Sequence, residues 1–189
     1  AVVPASELVH LCAVDPFLYC KAFFPNTFRQ GSPAFHKPIW TALEDRTLRH
    51  VAFEVFRGGA KTTLLRAYTS KRIAYGVSRT ILYVSEAQER SKQSLQWLKK
   101  AVEHNRNWCE VYGLERGAKW TDEIIEIRHK VFGFTITVLA LGITGQTRGV
   151  NIDDWRPDLI VVDDPCDEEN TATPEQRVKI SELFFDALD

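Results

Sequence analysis

Three observations predict an α/β fold, a parallel-dominated sheet flanked by helices with an added β-hairpin. The runs HVAFEVF (50–56), RTILYVS (79–85) and DLIVVDD (158–164) are apolar and β-branched enough to be buried strands. Segments of helical period separate them, which makes parallel pairing through helical crossovers the natural solution. DEIIEIRH and GFTITVLAL alternate with period two about a turn at 130–133, the mark of a hairpin.

Taken in order, residues 5–24 read as two short helices broken at Pro16, and a turn-rich stretch follows to Pro33. FHKPIW opens a third helix near Lys37. After the first strand, Gly58-Gly59 turns the chain into a helix that ends around Gly76. Behind the second strand, Ser85 and Gln88 form a capping box for a helix to about His104, with Leu95, Leu98 and Val102 as its apolar stripe. DLIVVDD is a continuous apolar run, as in a strand covered on both faces. Thr173, Pro174 and Gln176 then provide an N-cap, a first-position proline and a third-position amide for a last helix. Its apolar positions are Val178, Ile180, Leu183 and Phe184. With no internal repeat and no linker-like stretch, one domain is expected.

The net charge of −1 carries no global basic signature, so any nucleic-acid surface must be local. No apolar run approaches the roughly 20 residues that cross a bilayer, and no membrane partner is expected. Cys12, Cys20, Cys109 and Cys166 lack C-x-x-C spacing and read as thiols in a reducing compartment rather than a zinc site. Methionine is absent even at position 1, as in a processed product or a fragment.

The chemistry concentrates at two places. FRGGAKTT (56–63) joins an expected strand to an expected helix. In such a loop Gly58 and Gly59 permit close backbone approach, and the backbone amides through Ala60, Lys61, Thr62 and Thr63 would wrap ATP phosphates. Lys61 would sit between the β- and γ-phosphates, and the Thr62 hydroxyl would hold Mg²⁺. Both signature glycines of G-x-x-x-x-G-K-[ST] are missing, replaced by Val55 and Ala60, so a plain Gly-Gly turn is the competing reading. The second place lies about a hundred residues downstream, where an apolar strand ends in Asp163-Asp164, the form of the acidic half of a P-loop ATPase site. Asp163 would hold a Mg²⁺-bound water and a neighbouring carboxylate would polarise the attacking water; solvated carboxylates at a strand end are the alternative. No N-K-x-D is present, which argues against a GTPase.

FRGGAKTT, ALGITGQTRG before the acidic strand, and DLIVVDDPCDEENTATPEQR through it resemble the ATPase domain of the large terminase subunits of tailed bacteriophages. The resemblance runs from Phe56 to Arg177. It implies a P-loop NTPase fold and an ATP- and Mg²⁺-dependent motor that moves double-stranded DNA into a procapsid. It also implies a ring homo-oligomer working with a portal protein and a small terminase subunit, in the host cytoplasm and transiently on the procapsid. Arg57 looks like the loop arginine of that family, placed to contact the γ-phosphate or sense its loss; a surface arginine on a turn is the other reading. Arg148 of QTRG looks like the arginine that acts in trans on the next subunit, although VNIDDW separates it from the strand; pairing with Asp153 or Asp154 is the other reading. Relatives carry Asp-Glu at the strand end, so the carboxylate acting on water is Asp164 by adjacency, with Glu168 second and Glu169 a further substitute. Phe35 and His36 stand where such ATPases form an adenine pocket, or are packed core aromatics. The chain stops before the coupling strand and nuclease domain of the family, so the expectation for 1–189 is a single P-loop ATPase domain truncated at its C-terminal end.

Two other functions stay open: a helicase-like nucleic-acid remodelling ATPase, and a nucleotide-binding assembly module that does not hydrolyse. The basic pairs Lys71-Arg72 and Lys99-Lys100 read first as solvated helix faces rather than DNA contacts.

Overall fold

A computed structural model describes residues 5–143, 156–165, 173–175, 178 and 182. The chain divides into two compact units, Ala1–Lys71 and Arg72–Asp189.

The first unit begins with α1 (Ala5–Val14) and α2 (Pro16–Phe23). Asp15 separates them because its carboxylate accepts hydrogen bonds from the amides of Phe17 and Leu18, at 2.9 and 3.0 Å, while Pro16 takes the first helical position. α3 (His36–Glu44) follows, and α4 (Lys61–Ala74) starts in this unit. Tyr19, Phe23, Phe24, Ile39, Trp40, Leu64 and Tyr68 are buried and form an aromatic-rich core, with the Tyr19 ring against Phe23 and Phe24 and Trp40 edge-on to Tyr68. The buried Lys71 ammonium pairs with Glu44 and donates to the Ala13 carbonyl at 2.9 Å, so the charge does not stand alone in this core. Burial pushes the Cys20 thiol up to about 12, the opposite of a reactive thiolate.

The stretch 50–56, expected as a buried strand, is not one. It belongs to no ladder, and Val51, Phe53 and Val55 are half-buried while Ala52, Glu54 and Phe56 are exposed. Apolar composition allowed a strand there, but strand formation rests on a partner edge and on packing across it.

The second unit is built on β1 (Thr80–Ser85), α5 (Gln88–His104), α6 (Arg106–Tyr112), β2 (Leu114–Trp120), β3 (Ile124–His129), β4 (Phe134–Gly142) and β5 (Leu159–Val162). The strands form one sheet in the order β2-β3-β4-β1-β5. β1 pairs parallel with β4 and β5, with Tyr83 opposite both Ala140 and Val161, while β3 pairs antiparallel with β2 and β4. The sheet is therefore mixed rather than parallel-dominated. The cause is the hairpin: β3 and β4 form as expected, and β2 adds a third antiparallel strand instead of leaving the hairpin as an appendage.

Every residue of β1 is buried. Leu82 and Val84 pack with Ile143 on one face, joined by Leu139, Leu141, Ile160 and Val162. α5 lies against β1 and β4 with Leu95, Leu98 and Ala101 buried; Val102 is only half-buried. Burying a leucine of this kind contributes about 2 kcal/mol. The expected capping box does not form. Ser85 remains the last residue of β1, the N-cap is Ala87, and no side-chain hydrogen bond caps α5. β5 falls at one end of the described strand order with only Val161 fully buried, so it is less covered than its apolar run predicted. Of the last helix, Pro174, Glu175, Val178 and Glu182 are helical and exposed, and the remaining expected positions lie outside the described residues.

Candidate functional site

Within the first unit, the loop ahead of α4 is tightly folded. The Gly59 amide donates to the Phe56 carbonyl at 3.0 Å, closing a turn that carries the exposed Arg57. Gly58 has φ +88, a conformation open to glycine. Gly59 is buried, and a Cβ there would lie 2.1 Å from Val55 Cγ1 and 3.1 Å from the Phe56 carbonyl oxygen. Two adjacent glycines are thus needed for different reasons, one for its dihedral and one for its space.

Ala60 has φ 63. This is the left-handed region, which costs an L-residue roughly 1–2 kcal/mol. The position is where the usual motif carries its second glycine, and alanine here bears a strain that a glycine would not. The Ala60 carbonyl accepts the first helical bond of α4, from the Leu64 amide at 2.9 Å. Lys61 is the first residue of α4, and Lys61, Thr62 and Thr63 are half-buried in its first turn. The N–H groups of a first turn point out of the helix at the positive end of its dipole, an arrangement that favours an anion.

Phe35 and His36 come to this loop. His36, buried at the start of α3, lies with Nε2 3.1 Å from the Gly59 carbonyl oxygen. The Phe35 ring sits 5.3 Å from Phe56 and 4.5 Å, edge-on, from His36. Sequence reasoning singled out both residues, but the contact with the loop was not visible in it.

Within the second unit, the carboxyl ends of β1, β4 and β5 gather three segments. The Ile143 amide donates to Ser85 at 2.8 Å, the Asp163 amide to Val84 at 2.9 Å, and the Glu86 amide to Asp164 at 3.2 Å. The start of β5 is held as firmly, because Asp158 accepts from the Arg79 amide at 2.7 Å and its own amide donates to Thr80 at 3.0 Å. In sheets of parallel strands, ligands bind outside this end. Asp163 is buried, while Asp164 is exposed and has φ 46. Glu86 adds a carboxylate at this end that sequence reasoning missed, because the expected capping box placed the start of a helix over it; its side chain lies 3.6 Å from Arg90. Among the described residues no group of three or more acidic, histidine or cysteine side chains is arranged to hold a metal by itself. Arg148, Glu168 and Glu169 lie outside the described residues.

Among the described residues, the two non-glycine residues with positive φ are Ala60 and Asp164. Both belong to the motifs singled out in the sequence. No protein-family model matches the chain, and no curated protein matches it.

Proposed function

We propose that this chain is the ATP-hydrolysing part of a motor that translocates viral double-stranded DNA into a procapsid, of the large-terminase type. The observation that carries the reading is the coincidence of backbone strain with the two motifs: Ala60 in FRGGAKTT and Asp164 in DLIVVDD. Left-handed non-glycine residues are uncommon, least so for aspartate, and strained ones cluster at active sites and ligand clamps.

In this reading the amides from Gly58 to Thr63 surround the phosphates and Lys61 neutralises the β- and γ-phosphate charge. Arg57, exposed on the turn, reaches the γ-phosphate. Thr62 and Asp163 each offer an oxygen of the kind Mg²⁺ takes, and the ion uses one or two protein oxygens together with substrate phosphates and so needs no dedicated cage. When bound, the ion neutralises charge developing on the transferred phosphoryl group. Asp164 orients and polarises the attacking water, with Glu168 as the second choice, and Arg148 completes the site of a neighbouring subunit. Portal protein, small terminase subunit and a homo-oligomeric ring are the corresponding partners, in the host cytoplasm and on the procapsid. No described helix is long and apolar enough to cross a membrane.

The test is ATP turnover by the full-length protein assembled as a ring with DNA. Lys61→Ala is expected to lower turnover by about 100-fold or more, the usual effect of removing a preorganised charge-stabilising group. Undiminished turnover in that variant sinks the reading. Tight ATP binding without turnover in the wild-type ring favours an assembly module instead.

A further inference from the structure

We propose that His36 is a positioning residue for the phosphate loop, acting through the Gly59–Ala60 peptide rather than on the base of a nucleotide. The inference rests on the phosphate-site reading above and adds to it a part for a residue on another helix. A carbonyl oxygen only accepts, so the bond to Gly59 fixes the His36 proton on Nε2. In the neutral ring Nδ1 then carries the lone pair; it is buried, with no hydrogen-bond partner among the described residues. One ring nitrogen is engaged by the loop and the other is sealed, which leaves no polar atom of His36 facing outward for a base.

The bond to Gly59 has a directional consequence. A trans peptide holds its C=O and N–H in opposite directions, and the described residues contain no cis bond. With the Gly59 carbonyl tied to His36, the Ala60 N–H points away from His36. A flip of this peptide would break the bond and reverse the amide that belongs to the phosphate-binding set. The same helix end steadies the other side of the turn, since Phe35 packs on Phe56, whose carbonyl receives the Gly59 amide. Ala60 has no glycine-like freedom with which to hold φ 63 unaided, so the latch supplies from outside what the missing glycine would have supplied locally.

The experiment compares wild type, H36L, H36Q and the double variant H36L/A60G in the full-length protein. MgADP affinity is measured by calorimetry; NMR reports the ¹⁵N shift of Ala60 and its N–H to Hα coupling, which follows φ, in nucleotide-free protein. H36L is expected to weaken MgADP about tenfold, the worth of one buried hydrogen bond, and to shift the Ala60 signals. H36Q, whose amide nitrogen can reach the same carbonyl, stays within about threefold. H36L/A60G recovers most of the lost affinity, because glycine enters the left-handed region freely. Equal losses in H36L and H36Q with no recovery from A60G assign His36 to packing alone and overturn the proposal. If wild type binds no MgADP, the phosphate-site reading falls by itself, and the NMR arm still decides the latch: an Ala60 coupling unchanged in H36L refutes it, and one changed in H36L but retained in H36Q upholds it.

Discussion

Ala60 and Asp164 adopt the same unusual backbone region, yet opposite means hold them there. Ala60 is held by contacts within its loop and from α3: the Gly59 turn pressed on Val55, the His36 bond to the Gly59 carbonyl, and the first helical bond from Leu64. Asp164 is held by the sheet, since the Asp163 amide before it bonds to β1 and its own carbonyl accepts from Glu86. Side-chain identity separates them further. Asp enters the left-handed region several times more readily than most residues, while alanine gains nothing there. The loop is therefore shaped by packing that one methyl group can upset, and the strand end by main-chain bonds that most side-chain changes leave intact.

The sharpest way to break this comparison is Gly59→Ala. The new Cβ meets Val55 Cγ1, and the β-branched Val55 has little freedom to turn aside. Overpacking of this kind is expected to cost about 2 kcal/mol, read as a lower midpoint of chemical unfolding at unchanged slope. Removing the obstructing methyls in V55A/G59A is expected to return part of that loss, leaving the 3.1 Å approach to the Phe56 carbonyl. If G59A and V55A simply add, the loop is not packed against Val55 and the contrast with the strand end disappears.

A smaller effect, of opposite sign, is expected for Ala60→Gly. Release of left-handed strain outweighs the extra chain entropy that glycine brings to the unfolded state, for a net gain of roughly 0.5–1 kcal/mol. Thermal unfolding of the two proteins side by side checks it. A loss of stability would mean that Ala60 carries no strain and that its positive φ is no cost to the fold.

These residues also mark the limit of what the sequence made legible. The Gly-Gly turn into α4, the fully buried strand β1, the acidic strand β5 and the β3–β4 hairpin could be read from glycine placement and hydrophobic period. β2 could not: LERGAKW buries only Leu114, carries Glu115, Arg116 and Lys119, and has Gly117 inside it, the composition of a polar strand at a sheet margin. The run 50–56 failed in the other direction, because it is apolar without belonging to a ladder. In the candidate site, residue types announced Lys61, Thr62 and the acidic pair. The left-handed Ala60, the crowding of Gly59 and the reach of His36 depend on dihedrals and distant contacts, which no local pattern encodes.

The smallest expected change in stability belongs to Asp164→Asn, and it separates shape from chemistry. Asparagine tolerates the left-handed region as well as aspartate, and the main-chain bonds from the Asp163 amide to Val84 and from the Glu86 amide to Asp164 do not involve the substituted group. Stability is expected to stay within about 0.5 kcal/mol of wild type, as for an exposed isosteric change. If the proposed function holds, ATP turnover by the full-length protein assembled as a ring is expected to fall about 100-fold or more, because the amide cannot polarise water as a carboxylate does. Unchanged turnover with unchanged stability transfers that role to Glu168. A loss of stability well beyond 0.5 kcal/mol would instead show that the carboxylate itself braces the turn, so that the strand end, like the loop, depends on a side chain.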